Sequence, residues 1–191
     1  MWRSIWLNSG YRFIIKLLGI FCVLYFGHIF YWSASDPKGL IFIPIIESEG
    51  QPFYMEFLRS TILHSANNVL HLLDHNASIY GHVLVLGEKG VRLNSSCIGI
   101  GLFSFWIAFV VAHEKNFKTT ITWILLGVLI FWIVNVIRIA TLLMSLIKGW
   151  KPVFNIEHHD LYNFFVYLVV LLLAIFFNKR AGQLQRPGAH S

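Results

Sequence analysis

The chain has 191 residues, of which 57% are hydrophobic and only 13% charged, well below the roughly 25% charged share of a typical soluble domain. That balance excludes an ordinary soluble globular domain and indicates an integral membrane protein. The formal charge of +6 gives no case for nucleic-acid binding, because the basic residues stand scattered at the ends of apolar runs, where bilayer orientation accounts for them.

Arg3, Arg12 and Lys16 precede or open an apolar run that reaches about Trp32. The positive-inside rule puts the N-terminal end in the cytoplasm and sends this run outward. The run exceeds a usual signal-peptide core, so a retained anchor is favoured over a segment cleaved near Ser33-Ala34-Ser35. Cys22 and His28 within it read as core or lipid-facing. Pro37, Pro44 and Pro52 then make 33–52 a loop with surface-lying segments outside the cytoplasm.

Over 53–73 the pattern is helical and two-faced. Glu56, Arg59, Asn67, His71 and Asp74 fall on one side, with Phe57, Ile62, Leu63, Ala66, Val69, Leu70 and Leu73 on the other. So many polar groups predict an interfacial or packed amphipathic helix that does not cross on its own. His64, His71 and His75 invite a metal reading, the last two being four apart. No cysteine and no HExxH accompanies them, and histidines are common on wet surfaces, so no metal is expected. Residues 79–86 are β-branched and aliphatic, Gly87-Glu88-Lys89-Gly90 reads as a four-residue turn, and Val91-Arg92-Leu93 follows. This predicts a short extracytoplasmic β-hairpin that delivers the chain to Cys97.

From Ile98 to Ala112 the sequence is almost wholly apolar, ending in His113-Glu114-Lys115 with Lys118 beyond. The run spans a bilayer only by borrowing Cys97 and its neighbours, which sets that cysteine at the outer boundary. Cys97, Gly101, Ser104 and Ala108 form a small-residue stripe that lets another helix approach closely. The next run, 119–147, is too long for one perpendicular span. It starts at the cytoplasmic lysines, and about 20 residues carry it close to Arg138, which therefore lies near the outer boundary. Asn135, Arg138, Thr141 and Ser145 share one face of it.

Residues 148–157, with Gly149 and Pro152, form a loop. His158, His159 and Asp160 open the last apolar run, 161–177, and Lys179 and Arg180 return the C-terminal end to the cytoplasm. His159, Tyr162, Asn163 and Tyr167 share a helical face. Cys22 and Cys97 have no CxxC or framework spacing, and Cys22 sits mid-run, so a disulfide is poorly supported.

The expected fold is an all-α multi-pass integral membrane protein. It has about four transmembrane helices, an interfacial amphipathic helix and a short extracytoplasmic β-hairpin. One membrane domain covers 1–180, and 181–191 form a flexible cytoplasmic tail. Charge alone thus brings Cys97, Arg138 and His159 to the same outer level from three different helices.

The chemistry of these groups fits together. A thiol of pKa about 8.5 is mostly protonated at neutral pH and becomes a strong nucleophile where a positive neighbour stabilises the thiolate. His159 has the chemistry to assist it and then to protonate a leaving amine, with Glu157 or Asp160 able to orient the imidazole. The donor fork of Arg138 suits an oxyanion or a substrate carboxylate. Each residue alone has a plainer reading: a small residue at a helix start, an arginine anchored to headgroups, solvated interfacial histidines. Their shared depth favours a joint site.

The chain resembles the exosortase/archaeosortase family of multi-pass membrane sorting enzymes. The resemblance rests on Cys97-Ile98-Gly99 for the Cys-x-Gly motif, Asn135-Val136-Ile137-Arg138 for Asn-x-x-Arg, and His159 with Tyr162 three residues on. It covers about Ile79 to Phe177, and the chain resembles the compact members. It implies a Cys97 nucleophile, Arg138 as stabiliser of thiolate or transition state, and His159 as acid/base, preferred over His158 for the tyrosine spacing. Asn135 and Tyr162 are expected to contact substrate, and no cofactor is expected. It also implies membrane-anchored substrate proteins carrying a C-terminal sorting signal of motif, transmembrane helix and basic tail. They would be cleaved through an acyl-enzyme at the outer face of the cytoplasmic membrane and passed to an acceptor. Two other classes compete: a non-enzymatic membrane subunit or scaffold for envelope-polymer or protein export, and a metal-dependent hydrolase built on His64, His71 and His75.

Overall fold

Apolar runs that must enter a bilayer satisfy their backbone within a helix, and most of this chain does so. The computed structural model describes residues 9–35, 52–113, 115–150 and 158–183. In chain order these form α1 (Ser9–Ser35), α2 (Phe53–Leu72), β1 (Ser78–Tyr80), β2 (Val83–Leu86), β3 (Lys89–Arg92), α3 (Ser95–Ile98), α4 (Ile100–Ala112), α5 (Phe117–Ile147) and α6 (His158–Gln183). The proline-rich loop expected over 33–52 falls largely outside the described residues, as do 151–157 and the tail from 184 onward.

Among the described residues, three stretches are long and apolar enough to cross a membrane: Gly10–Ala34, Phe117–Ile147 and Tyr162–Arg180. The fourth apolar run behaves differently. With 13 residues, α4 rises only about 20 Å, short of the roughly 30 Å hydrocarbon core. The cysteine does not extend it as a continuous helix, because Gly99 sits at φ 83° and breaks α3 from α4. That left-handed geometry is costly for any residue with a Cβ.

The chain forms two compact units, Met1–Lys148 and Gly149–Ser191. The described residues of the second unit beyond Trp150 are those of α6. In the first unit, α4 lies between α1 and α5. Against α1 the contacts run antiparallel: Phe13 meets His113 and Phe109, Phe21 meets Phe105, and Gly101 lies against Tyr25. The small-residue stripe thus admits α1 at Gly101, where an added Cβ would lie 3.5 Å from the Tyr25 ring. The opposite side of α1 is exposed at Leu18, Val23 and Phe26, as suits lipid.

Against α5 the contacts also run antiparallel. Asn135 meets the Ile98 carbonyl, Phe131 meets Phe103, and Gly127 meets the buried Trp106 ring, whose Nε1 donates to the Trp123 carbonyl at 3.0 Å. Helix α5 starts two residues earlier than expected because the Asn116 side chain accepts the Thr119 N–H at 2.8 Å and caps it. Its 31 residues reach about 46 Å, longer than the core, so the expectation that this run overshoots one span agrees with its length.

Helix α2 covers nearly the expected range and packs on α5, where Trp132 Nε1 donates to Thr61 Oγ1 at 3.2 Å. Its two faces differ from the expectation. Arg59 is buried beside Met55, Ile62, Leu63, Ala66 and Leu70, while Phe57 and Leu73 point outward. An arginine enters a packed face when its donors are satisfied there, which a helical pattern does not reveal. The helix closes with Asp74 in the left-handed region (φ 60°), its N–H donating to His71 and that of His75 to Leu70, the paired bonds of a Schellman end.

The expected hairpin is present as two of three strands. The order is β1-β2-β3, all antiparallel. Pairing of Leu86 with Lys89 and of Tyr80 with Val83 leaves two-residue turns at Gly87-Glu88 and Gly81-His82, shorter than the four-residue turn the sequence indicates. Both turns put glycine first at positive φ, the type II′ pattern that matches strand twist. Gly81 therefore divides what reads as one aliphatic run.

Candidate active site

The Cys97 position is built from both of its flanks. Asn94 leads out of the sheet, Ser95 begins the single-turn helix α3, and the Cys97 N–H donates to the Asn94 carbonyl at 2.9 Å. Gly99 then turns the chain, and its carbonyl starts α4 by accepting from Leu102 and Phe103. Cys97 is half-buried and carries a free thiol; Cys22 is also free and lies exposed on α1.

Asn135 connects two of the motifs. Its side-chain amide donates to the Ile98 carbonyl at 3.0 Å, and it is 5% exposed. The carbonyl of Ile98 precedes a left-handed residue and ends a helix of one turn, so it needs a donor from elsewhere in the fold. An added Cβ on Gly99 would also approach Asn135 Nδ2 at 3.8 Å. Cys-x-Gly and Asn-x-x-Arg therefore meet physically, and Asn135 has a structural task that its spacing alone did not reveal.

Replacing Asn135 by leucine removes this donor while keeping the branching at Cγ. A loss of about 1–3 kcal/mol in stability is expected from the stranded carbonyl, measured as a lowered thermal midpoint of the solubilised chain. The reactivity of Cys97 toward a small alkylating reagent should change with it.

Arg138 lies one turn beyond Asn135 and is buried at 7% exposure. At about 1.5 Å per residue it stands roughly 32 Å along α5 from Phe117, close to the thickness of a hydrocarbon core. Thr141 and Ser145 continue this face but turn their hydroxyls back to α5 carbonyls, Thr141 to Ile137 and Arg138 and Ser145 to Leu142. The sequence expectation of one polar face thus resolves into an amide bonded to the Ile98 carbonyl, a buried guanidinium and two hydroxyls satisfied locally.

His159 is the second residue of α6, and Tyr162 lies one turn further along it, half-buried. The side chains of His158, His159 and Asp160 fall outside the described residues, as does Glu157. Cys97, Asn135 and Arg138 belong to the first compact unit, and His159 and Tyr162 to the second.

A second polar cluster borders the Cys97 turn. Arg59, 1% exposed, donates through Nη1 to Glu56 at 2.7 Å and through Nη2 to Ser95 Oγ at 3.0 Å; His82 Nε2 lies 3.2 Å from Nη1 and 3.3 Å from Glu56. The sequence puts Arg59 and Glu56 on the polar side of an interfacial or packed helix and does not link them to His82 or Ser95. An arginine three residues after a glutamate on a mostly apolar helix was the available signal.

Between α1, α2 and α4 lies a cavity of about 390 Å³, lined in part by Leu24, Gly27, His28, Tyr54, Ile100 and Ser104. His28 and Tyr54 hydrogen-bond across it. Burial, and secondarily the neighbouring Tyr31, push the Tyr54 hydroxyl above its ordinary value. Among the described residues no group of three or more His, Cys, Asp or Glu side chains gathers to hold a metal ion.

No curated protein and no solved structure matches the chain. A family model does: transmembrane exosortase (Exosortase_EpsH) matches residues 6–176, most of the length. With its apolar helices and the Cys-x-Gly and Asn-x-x-Arg motifs packed together, this chain belongs to the transmembrane exosortase family, membrane proteins that are generally sorting transpeptidases.

Proposed function

We propose that this protein is a membrane cysteine endopeptidase or transpeptidase that cleaves a C-terminal sorting signal from exported, membrane-anchored proteins. In this reading the catalytic groups are Cys97, Arg138 and His159, which the charge pattern of the sequence assigns to the outer boundary of the cytoplasmic membrane, and Asn135 and Tyr162 contact substrate. In this topology α4 with its preceding turn is the fourth crossing. The bond between Asn135 and the Ile98 carbonyl at 3.0 Å carries the reading. It joins the cysteine motif to the arginine motif, and one more turn along α5 leads to a buried guanidinium.

The reaction begins with the Cys97 thiolate attacking the scissile carbonyl carbon, forming a carbon–sulfur bond and a tetrahedral oxyanion. Arg138 stabilises that negative charge. Collapse breaks the carbon–nitrogen bond, and His159 gives its proton to the departing amine. The transmembrane helix and basic tail leave, and the upstream protein stays on Cys97 as a thioester. Water or an acceptor nucleophile then gives a proton to His159 and attacks the thioester carbonyl, and the carbon–sulfur bond breaks to release the acyl product and restore the thiolate beside a protonated His159.

The test is processing of a substrate that ends in a motif, a transmembrane helix and a basic tail. Cys97→Ala should lower processing at least about a thousandfold while the chain remains in the membrane. Full processing by Cys97→Ala ends this reading.

A further inference from the structure

We propose that Arg59 is a positioning residue for the Cys97 nucleophile, holding the entrance to its helical turn while Asn135 holds the exit. The proposal rests on the assignment of Cys97 as nucleophile and concerns residues outside the three motifs.

Arg59 is almost fully buried, so its guanidinium needs partners within the protein. Among its partners are groups from three different elements. Glu56, one turn back on α2 and half exposed, supplies the neutralising charge at 2.7 Å. His82, in the turn between β1 and β2, stands against Nη1 at 3.2 Å. Ser95 Oγ, at the first residue of the cysteine-bearing turn, accepts from Nη2 at 3.0 Å. The fixed fork of an arginine can hold such partners together in a way that the point charge of a lysine cannot.

The chain entering the site is thereby tied twice. His82 accepts the Leu93 N–H through its own carbonyl at 2.9 Å, which fixes the strand end just before Asn94. Ser95 fixes the residue just after it. Beyond the cysteine, Asn135 holds the Ile98 carbonyl. Cys97 therefore lies between two anchors, Ser95 on Arg59 and Ile98 on Asn135, each within two residues of it. A reacting sulfur must be placed to within a fraction of an ångström, and a four-residue helix cannot hold itself in place.

The experiment uses the full chain in its membranes with Cys22→Ser, which leaves Cys97 as the only thiol. Ser95→Ala, Arg59→Gln and the two combined are compared in two ways. One is the rate at which iodoacetamide alkylates Cys97, and the other is kcat and KM for an anchored substrate. Each single change should alter the alkylation rate about fivefold or more, and the combined variant should match Arg59→Gln alone, because both remove one interaction. In parallel, kcat should fall with KM little changed. If Arg59→Gln does not accumulate, Arg59→Lys, which keeps the charge without the fork, takes its place in the cycle.

Rates within about twofold of the parent for Ser95→Ala, or effects that simply multiply, overturn the proposal. The alkylation readout does not depend on catalysis. Coupling between Arg59 and Ser95 in a chain whose Cys97→Ala variant still processes substrate would reject the nucleophile and keep the positioning, whereas lost processing by Cys97→Ala without coupling would do the reverse.

Discussion

Arg138→Ala is expected to lower single-turnover cleavage of a membrane-anchored substrate about 10²–10³-fold, the loss that follows removal of one well-placed donor to a developing oxyanion. The residue is buried at 7% exposure within a helix long and apolar enough to cross a membrane, a place where a cation persists only with a task. Arg138→Lys should recover little, since an ammonium cannot reproduce the planar fork. Thermal unfolding of each solubilised variant separates the two possible tasks. Cleavage within about threefold of the parent, together with a lowered unfolding midpoint, would assign the arginine to packing alone.

The second large effect is expected at Gly127, which faces Trp106. A Cβ built there would lie 1.9 Å from Nε1 and 2.4 Å from the adjoining ring carbon, Cε2, so the indole cannot stay where it is. Gly127→Ala must expel the ring, break its bond to the Trp123 carbonyl and disturb its edge-to-face contact with Phe131. Overpacking of this kind costs about 1–3 kcal/mol or more, visible as a fall in the unfolding midpoint and a change in tryptophan emission. Because the α4–α5 seam continues from Trp106 through Phe103 to Ile98, Cys97 reactivity should change too. Trp106→Phe in the same chain should relieve part of the loss, so the double variant is less destabilised than the sum of the singles.

These two positions show what the amino-acid order reveals and what it does not. The long apolar runs of α1, α5 and α6 announce themselves, because the bilayer demands about 20 apolar residues and charges gather at their ends. The amphipathic α2 and the turn at Gly87 are legible for the same local reasons. Arg59 was misjudged because helical periodicity reports which side a residue occupies, whereas its burial depends on Ser95, 36 residues away. Gly81 passed as part of one strand because only the pairing of Tyr80 with Val83 makes it a turn.

The candidate site was legible in the same uneven way. Cys97, Arg138 and His159 stand out in the sequence as costly polar groups at the edges of apolar runs, and the charge pattern is what suggests a common depth for them. The link from Asn135 to Ile98 does not stand out there, since it joins residues 37 apart and answers a backbone need created by the left-handed Gly99. The shortness of the 98–112 run was legible, but only the backbone at Gly99 shows that the cysteine stands on a separate turn.

The most direct measurement is the mass of the Cys97-containing peptide after the full chain has turned over its anchored substrate and been quenched in acid within the first cycle. The expected result is the upstream fragment of the substrate bound to Cys97 through a thioester that hydroxylamine removes. An unmodified Cys97 while product forms, or the same adduct on a different residue, would contradict it.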